Sequence, residues 1–157
     1  MYQDRLLAEY RAPQNRREMA EPTGDAAHRN PLCGDAIRIM VRDEGGLLTD
    51  VAFLGQGCSL AVASASLLTQ AVRARSRAEA RALSAAVAGM LTRRAGDAGT
   101  LALALPLALP EALPEALSEA LDALRGVAPF PARHDCVLMP WRALEDALGN
   151  SSAPSAE

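Results

Sequence analysis

Residues 37–42 alternate Ile37, Ile39 and Val41 with Arg38, Met40 and Arg42, the period-2 pattern of a half-buried strand. Asp43-Glu44-Gly45-Gly46 supplies residues that tolerate positive φ in a hairpin loop, and Leu47 to Leu54 reads as the return strand. Gly55-Gln56-Gly57-Cys58 ends that strand. From Ser59 the period changes: Leu60, Ala63, Leu67, Leu68 and Ala71 recur at helical spacing, predicting a helix to about Arg73. A second helix follows over Arg77 to Thr92, with Ser76 as its N-cap ahead of Glu79. Upstream, Leu6, Leu7 and Tyr10 share one side of a short amphipathic helix between Asp4 and about Arg17, interrupted by Pro13. Glu18 to Asn30 is polar and contains Pro22-Thr23-Gly24-Asp25, so it reads as loop, with one poor edge strand at most.

The second half is less regular. Gly96 to Thr100 is a break, and Leu101 to Leu109 alternates Leu with Ala between prolines, a pattern that fits strand, loop or helix. The triplet Glu-Ala-Leu then recurs at Glu111, Glu115 and Glu119. It sets Leu113, Leu117, Leu121 and Leu124 on one helical stripe with acids outside. Pro110 and Pro114 belong in or before a first turn, so this helix should begin near Pro114 and end at Gly126. Trp141 to Leu148 is a last amphipathic helix closed by Gly149, and Pro140 must either kink or start it. Residues 150–157 read as a disordered tail.

At 157 residues the chain suits one domain, taken as 1–149. Half its residues are apolar but five are aromatic, so the core must be built from Ala, Leu and Val. The net charge is −3 and no block of Lys or Arg is dense enough to follow a phosphate backbone, which excludes nucleic acid as an expected partner. The cluster Arg73, Arg75, Arg77 and Arg81 reads as a solvated helix face. The first residues lack the apolar core of a signal peptide, and no run approaches the roughly 18 apolar residues of a membrane span. A cytoplasmic protein is expected, with no membrane partner. Three cysteines cannot complete a disulfide framework, which points to metal binding or thiol chemistry.

Cys33, Asp35, Cys58 and Cys136 are four possible metal ligands, a number that suits tetrahedral zinc. All four fall at element edges, and the hairpin returns the chain so that Cys58 can approach Cys33 although 25 residues separate them. Gly34 would let the backbone fold tightly enough for Cys33 and Asp35 to serve one site. No CxxC pair is present, and buried cysteines acting as small hydrophobes remain the alternative. Trp141 reads as a core anchor and His28 as an exposed loop residue, while His134 is either exposed or a hydrogen-bonding neighbour of Cys136.

Those residues stand in motifs that resemble the SufU-type sulfurtransferases within the NifU/IscU family of iron–sulfur assembly proteins. Asn30-Pro-Leu-Cys-Gly-Asp35 resembles NPxCGD, Gly55-Gln-Gly-Cys58 resembles GxGC, and Ala63-Ser-Ala-Ser66 resembles ASAS. Phe130-Pro-Ala-Arg-His-Asp-Cys136 with Trp141 resembles FPARxxCxxxxW, and Tyr10-Arg-Ala-Pro-Gln-Asn15 is a looser match to YxNPRN. The resemblance spans residues 4–148. It implies an α+β fold, a small antiparallel sheet of about three strands with helices packed against it, and makes 94–126 a family insertion of unusual Ala/Leu/Pro composition. By the same resemblance Cys33, Asp35, Cys58 and Cys136 would hold Zn2+, with Arg133 pairing with the Asp35 carboxylate or a thiolate. The implied activity is sulfur transfer: persulfide sulfur from a SufS-type cysteine desulfurase, relayed to downstream iron–sulfur assembly proteins. Cys33 is the implied nucleophile and Cys136 the second candidate, a partner imidazole replacing Cys33 on the metal. In the IscU branch a His ligand directly precedes the last Cys; here that position is Asp135, with His134 one place earlier, which favours the SufU branch. The alternative is a scaffold carrying a [2Fe-2S] cluster on the same ligands.

Overall fold

The alternating run lies in the middle strand of a three-stranded antiparallel sheet, as expected. The computed structural model describes residues 2–31, 34–92 and 113–152. Cys33, the Leu/Ala run 101–109 and the end of the tail lie outside the described residues. Strands β1 (Gly24–Asn30), β2 (Asp35–Glu44) and β3 (Leu47–Gln56) are joined in order β1-β2-β3. Helix α1 (Tyr2–Arg11) precedes them, and α2 (Ser59–Val72), α3 (Arg77–Thr92), α4 (Glu115–Ala123) and α5 (His134–Ser152) follow. Two short 3-10 turns, Leu124–Val127 and Pro131–Arg133, lead from α4 into α5.

Ile37, Ile39 and Val41 face the helices together with Val51 and Phe53 of β3, and all are buried. α2 supplies the small inner surface of this layer, with Ala61, Ala63, Ala65 and Leu68 among its buried residues. Small side chains let helix and sheet approach closely, which is how an aromatic-poor chain fills a core to native density. Ser76 forms the expected capping box: its Oγ accepts from the Glu79 N–H at 3.1 Å and its own N–H donates to Glu79 Oε1 at 2.8 Å.

Four expectations change. The polar segment before Asn30 carries a full strand, β1, paired from Gly24↔Val41 to Asn30↔Asp35. Its order comes from its neighbours: Ala26 packs on the core, His28 Nε2 lies 2.6 Å from Asp146 Oδ2 of α5, and a Cβ on Gly24 would sit 2.3 Å from the Ala147 carbonyl oxygen. α1 stops at Arg11, short of the Pro13 that interrupts the pattern. Beyond it, residues 15–17 run along the β3 edge, where Phe53 N–H donates to the Asn15 carbonyl and Arg17 N–H to the Phe53 carbonyl, both at 3.0 Å. This segment also buries the outer sheet face: Met40, on the side assigned to the polar residues, packs with Met19 and Ala52. Last, α5 starts at His134, contains Pro140 and runs past Gly149 to Ser152, taking in the first residues of the expected tail: Val137 before the proline and Trp141, Leu144 and Leu148 after it form one buried stripe.

On the outer face Arg38 grips Asp25 with two hydrogen bonds of 2.7 and 2.5 Å. The hydrogen bond from Arg38 lowers the Asp25 pKa from its ordinary value, against the smaller opposing effect of burial. A depressed carboxylate stabilises the fold fully above its unfolded pKa, about 4, and loses that contribution as pH falls through the folded value. Both side chains are over a third exposed, so the pair is worth at most about 1 kcal/mol. Asp25→Asn should therefore lower stability slightly at pH 7, with the gap to wild type closing as pH falls toward about 2 in urea titrations. A gap that persists at low pH would assign the loss to packing.

Candidate metal centre

The β2–β3 register brings the site together. Ala36 pairs with Gln56 and Ile37 with Gly55, so the chain leaves β3 for α2 beside the first residue of β2, Asp35. The crossing is tight: Gly55 has φ 137°, and a Cβ there would meet the Ala36 carbonyl oxygen at 2.1 Å. Cys58 follows as the N-cap residue of α2, in extended conformation, and its N–H donates to Asp35 Oδ2 at 3.0 Å. Asp35 thus occupies the amide end of α2, where exposed N–H groups and the helix dipole favour a negative group. Cys136, in the first turn of α5, is buried at 7% exposure.

The result is a cluster in which one ligand atom each from Asp35, Cys58 and Cys136 lie within 4.8 Å of one another. Ligand atoms around a tetrahedral zinc with bonds of 2.0–2.3 Å are themselves roughly 3.5–3.8 Å apart, so a small contraction would bring these three onto one ion. Two thiols and a carboxylate are a donor set of the softness and charge zinc takes. Cys33 lies outside the described residues; the ends of its loop are set by the Asn30↔Asp35 pair and by a 2.8 Å hydrogen bond from Gly34 N–H to the Asn30 carbonyl. Gly34 has φ 78°, which explains a glycine between Cys33 and Asp35.

His134 and Asp135 are engaged elsewhere. His134 Nε2 lies 2.9 Å from the Ala128 carbonyl oxygen, tying the start of α5 to the preceding turn, and Asp135 accepts from Arg142 at 3.0 Å. Arg133 is exposed at the end of the 3-10 turn Pro131–Arg133. There it lines a mostly apolar groove of about 790 Å³ with Leu6, Leu60, Val127 and Phe130, and among the described residues no ion pair joins it to Asp35.

The serines of the ASAS motif hold the site's framework. Ser64 Oγ donates to the Val137 carbonyl at 2.7 Å and accepts from Trp141 Nε1–H at 2.9 Å, locking α2 to α5 one residue from Cys136. Ser66 Oγ donates to Glu9 at 2.6 Å and accepts from the Gln14 N–H at 2.8 Å, holding α1 and the segment after it. Sequence reasoning left both without a role. Polar residues on an otherwise apolar helix stripe are the signal that marks them.

Among the described residues a three-stranded antiparallel sheet with five helices bears a carboxylate and two thiols at one sheet end that could hold a metal ion, which defines a small α+β domain. The chain belongs to the family of the NifU-like N terminal domain, whose profile matches residues 1–97, and so to the iron–sulfur cluster assembly proteins of SufU and IscU type. It is 30% identical over 148 residues to the zinc-dependent sulfurtransferase SufU of Bacillus subtilis, covering 94% of this chain and 89% of that one. It is 34% identical over 123 residues to the iron–sulfur cluster assembly scaffold protein IscU of Streptococcus pyogenes, covering 78% and 67%. The fold matches the crystal structure of a nitrogen-fixing NifU-like protein (N-terminal) from Brucella abortus with a TM-score of 0.77 at 23% identity, over 96% of this chain and 94% of that one. It matches a putative SUF-system scaffold protein from Fervidobacterium islandicum with a TM-score of 0.73 at 19% identity, over 92% and 94%. Among the described residues no helix is long and apolar enough to cross a membrane.

Proposed function

We propose that the chain is a zinc-dependent sulfur acceptor that takes persulfide sulfur from a SufS-type cysteine desulfurase and passes it to downstream iron–sulfur cluster assembly proteins. The observation that carries the reading is the convergence of Asp35, Cys58 and Cys136 at the sheet end from which the Cys33 loop springs. Likeness to a relative named a zinc-dependent sulfurtransferase, over nearly the whole of both chains, supports it. Cys33, Asp35, Cys58 and Cys136 are the proposed ligands. Arg133, three residues before Cys136, is proposed to pair with the Asp35 carboxylate or a thiolate in the metal-bound protein. Zinc, when bound, keeps thiols deprotonated and brings no redox chemistry of its own.

The sulfur step needs only thiolate chemistry. The Cys33 thiolate attacks the terminal sulfur of the desulfurase persulfide, a new S–S bond forms at Cys33, and the desulfurase cysteine leaves as thiolate. No oxidant or reductant is consumed. A [2Fe-2S] scaffold on the same residues is the second reading, favoured by the IscU relative named a scaffold.

Elemental analysis of protein purified anaerobically without chelators, with desulfurase turnover measured in its presence, tests both. One zinc per chain, a colourless protein and faster turnover are the expected results. Iron with a visible cluster spectrum and no change in turnover would establish the scaffold instead. Asp35→Ala should leave the fold intact, because three thiols remain to hold the ion, and should exchange zinc with a chelator faster by about 10-fold or more. Exchange at the wild-type rate would remove Asp35 from the ligand set.

A further inference from the structure

Gly57 stands between Gln56, the last residue of β3, and Cys58, the N-cap of α2, and is not among the residues with positive φ. Its backbone conformation is therefore open to other residues; what it lacks is room. A Cβ at 57 would lie 3.3 Å from both Cγ and Oδ2 of Asp35 and 3.0 Å from the Ala61 Cβ. The next amide, that of Cys58, donates to the same Oδ2 at 3.0 Å. From this we infer that Gly57 is a positioning residue for the metal centre: it is the bare floor on which the Asp35 carboxylate lies, engaging Oδ2 with the Cys58 amide and leaving Oδ1 for the metal.

The inference rests on the ligand set proposed above and adds to it a reason for the carboxylate's mode of binding. A carboxylate with one oxygen held by the backbone offers a single oxygen to the ion, which keeps coordination at four with three thiolates. A methyl group at 57 makes Asp35 give by a few tenths of an ångström, which disturbs its contact with the Cys58 amide and the orientation that contact imposes. Loss of a group that orients a metal ligand weakens binding by about 10- to 100-fold.

The test is a double-mutant cycle on zinc affinity, measured at fixed pH by competition with a chromophoric chelator. Gly57→Ala should weaken zinc binding by about 10- to 100-fold, yet should weaken it no further in an Asp35→Ala background. The contact with Ala61 is relieved separately by repeating the cycle in Ala61→Gly, with the stability of each metal-free protein recorded alongside. A readout that leaves Gly57 in place is hydrogen exchange at the Cys58 amide of the metal-free protein, protected in wild type and unprotected in Asp35→Ala. Zinc affinity within twofold of wild type for Gly57→Ala, equal losses with and without Asp35, or an unprotected Cys58 amide would each overturn the inference while wild type binds zinc. A wild type that binds no zinc overturns the ligand set and the inference with it.

Discussion

Cys33→Ser returns a cysteine desulfurase to its unassisted rate and leaves the protein folded: that is the first expected result. The two described thiols are both enclosed. Cys136 is buried in the first turn of α5, and Cys58 is part-buried at the start of α2, its backbone amide committed to Asp35. Cys33 stands in the sequence between Asn30 and Asp35, the pair at which β1 meets β2, and outside both helices that carry the other two thiols. A serine there is nearly isosteric but cannot form a persulfide, so the sulfur step stops while three ligands remain. Persulfide trapping followed by peptide mass analysis should find the added sulfur on the Cys33 peptide. Sulfur confined to the Cys136 peptide, with Cys33→Ser still stimulating turnover, would reverse the roles and leave Cys33 a structural ligand.

Trp141→Ala should cost about 3–5 kcal/mol, the range for deleting a large buried aromatic side chain. Trp141 is 1% exposed in the main core, and its ring carries the one indole of the chain. Its Nε1–H donates to Ser64 Oγ, which donates in turn to the Val137 carbonyl, so truncation opens a cavity and also removes one of the two hydrogen bonds of a buried hydroxyl. Against a typical total of 5–15 kcal/mol, that loss leaves a marginal domain. Trp141→Phe keeps most of the packing and should cost about 1–2 kcal/mol through the hydrogen bond alone. Urea unfolding of metal-free protein separates the two, since bound zinc would add its own linkage. An alanine variant within about 1 kcal/mol of wild type would show that the α2–α5 contact does not depend on this anchor.

The local elements were legible because their signals are local. The β2–β3 hairpin follows from an alternating run and two consecutive glycines, and the start of α3 from Ser76 and Glu79 three residues apart. β1 was not legible, since four of its seven residues are polar or charged and it is a strand through pairing with β2 and cover from α5. The extent of α5 was hidden for a similar reason. Pro140 breaks a helix judged on its own, but burial of Trp141 and Leu144 outweighs one missing amide bond.

The same division runs through the site. The sequence by itself determined the candidate donors: three thiols and a carboxylate at element edges, in motifs that resemble an iron–sulfur assembly family. Tertiary structure decided how three of them meet. The distance from Asp35 to Cys58 is set by the register of β2 on β3 and by a glycine that must let a carbonyl pass, and the approach of Cys136 by a helix locked to α2 through Ser64. Neither contact leaves a periodic trace, because each joins residues more than 20 positions apart through a single atom pair. Pattern along a chain records what a residue's neighbours in sequence repeat; a metal centre is made of residues that do not repeat, brought together by the packing of everything between them.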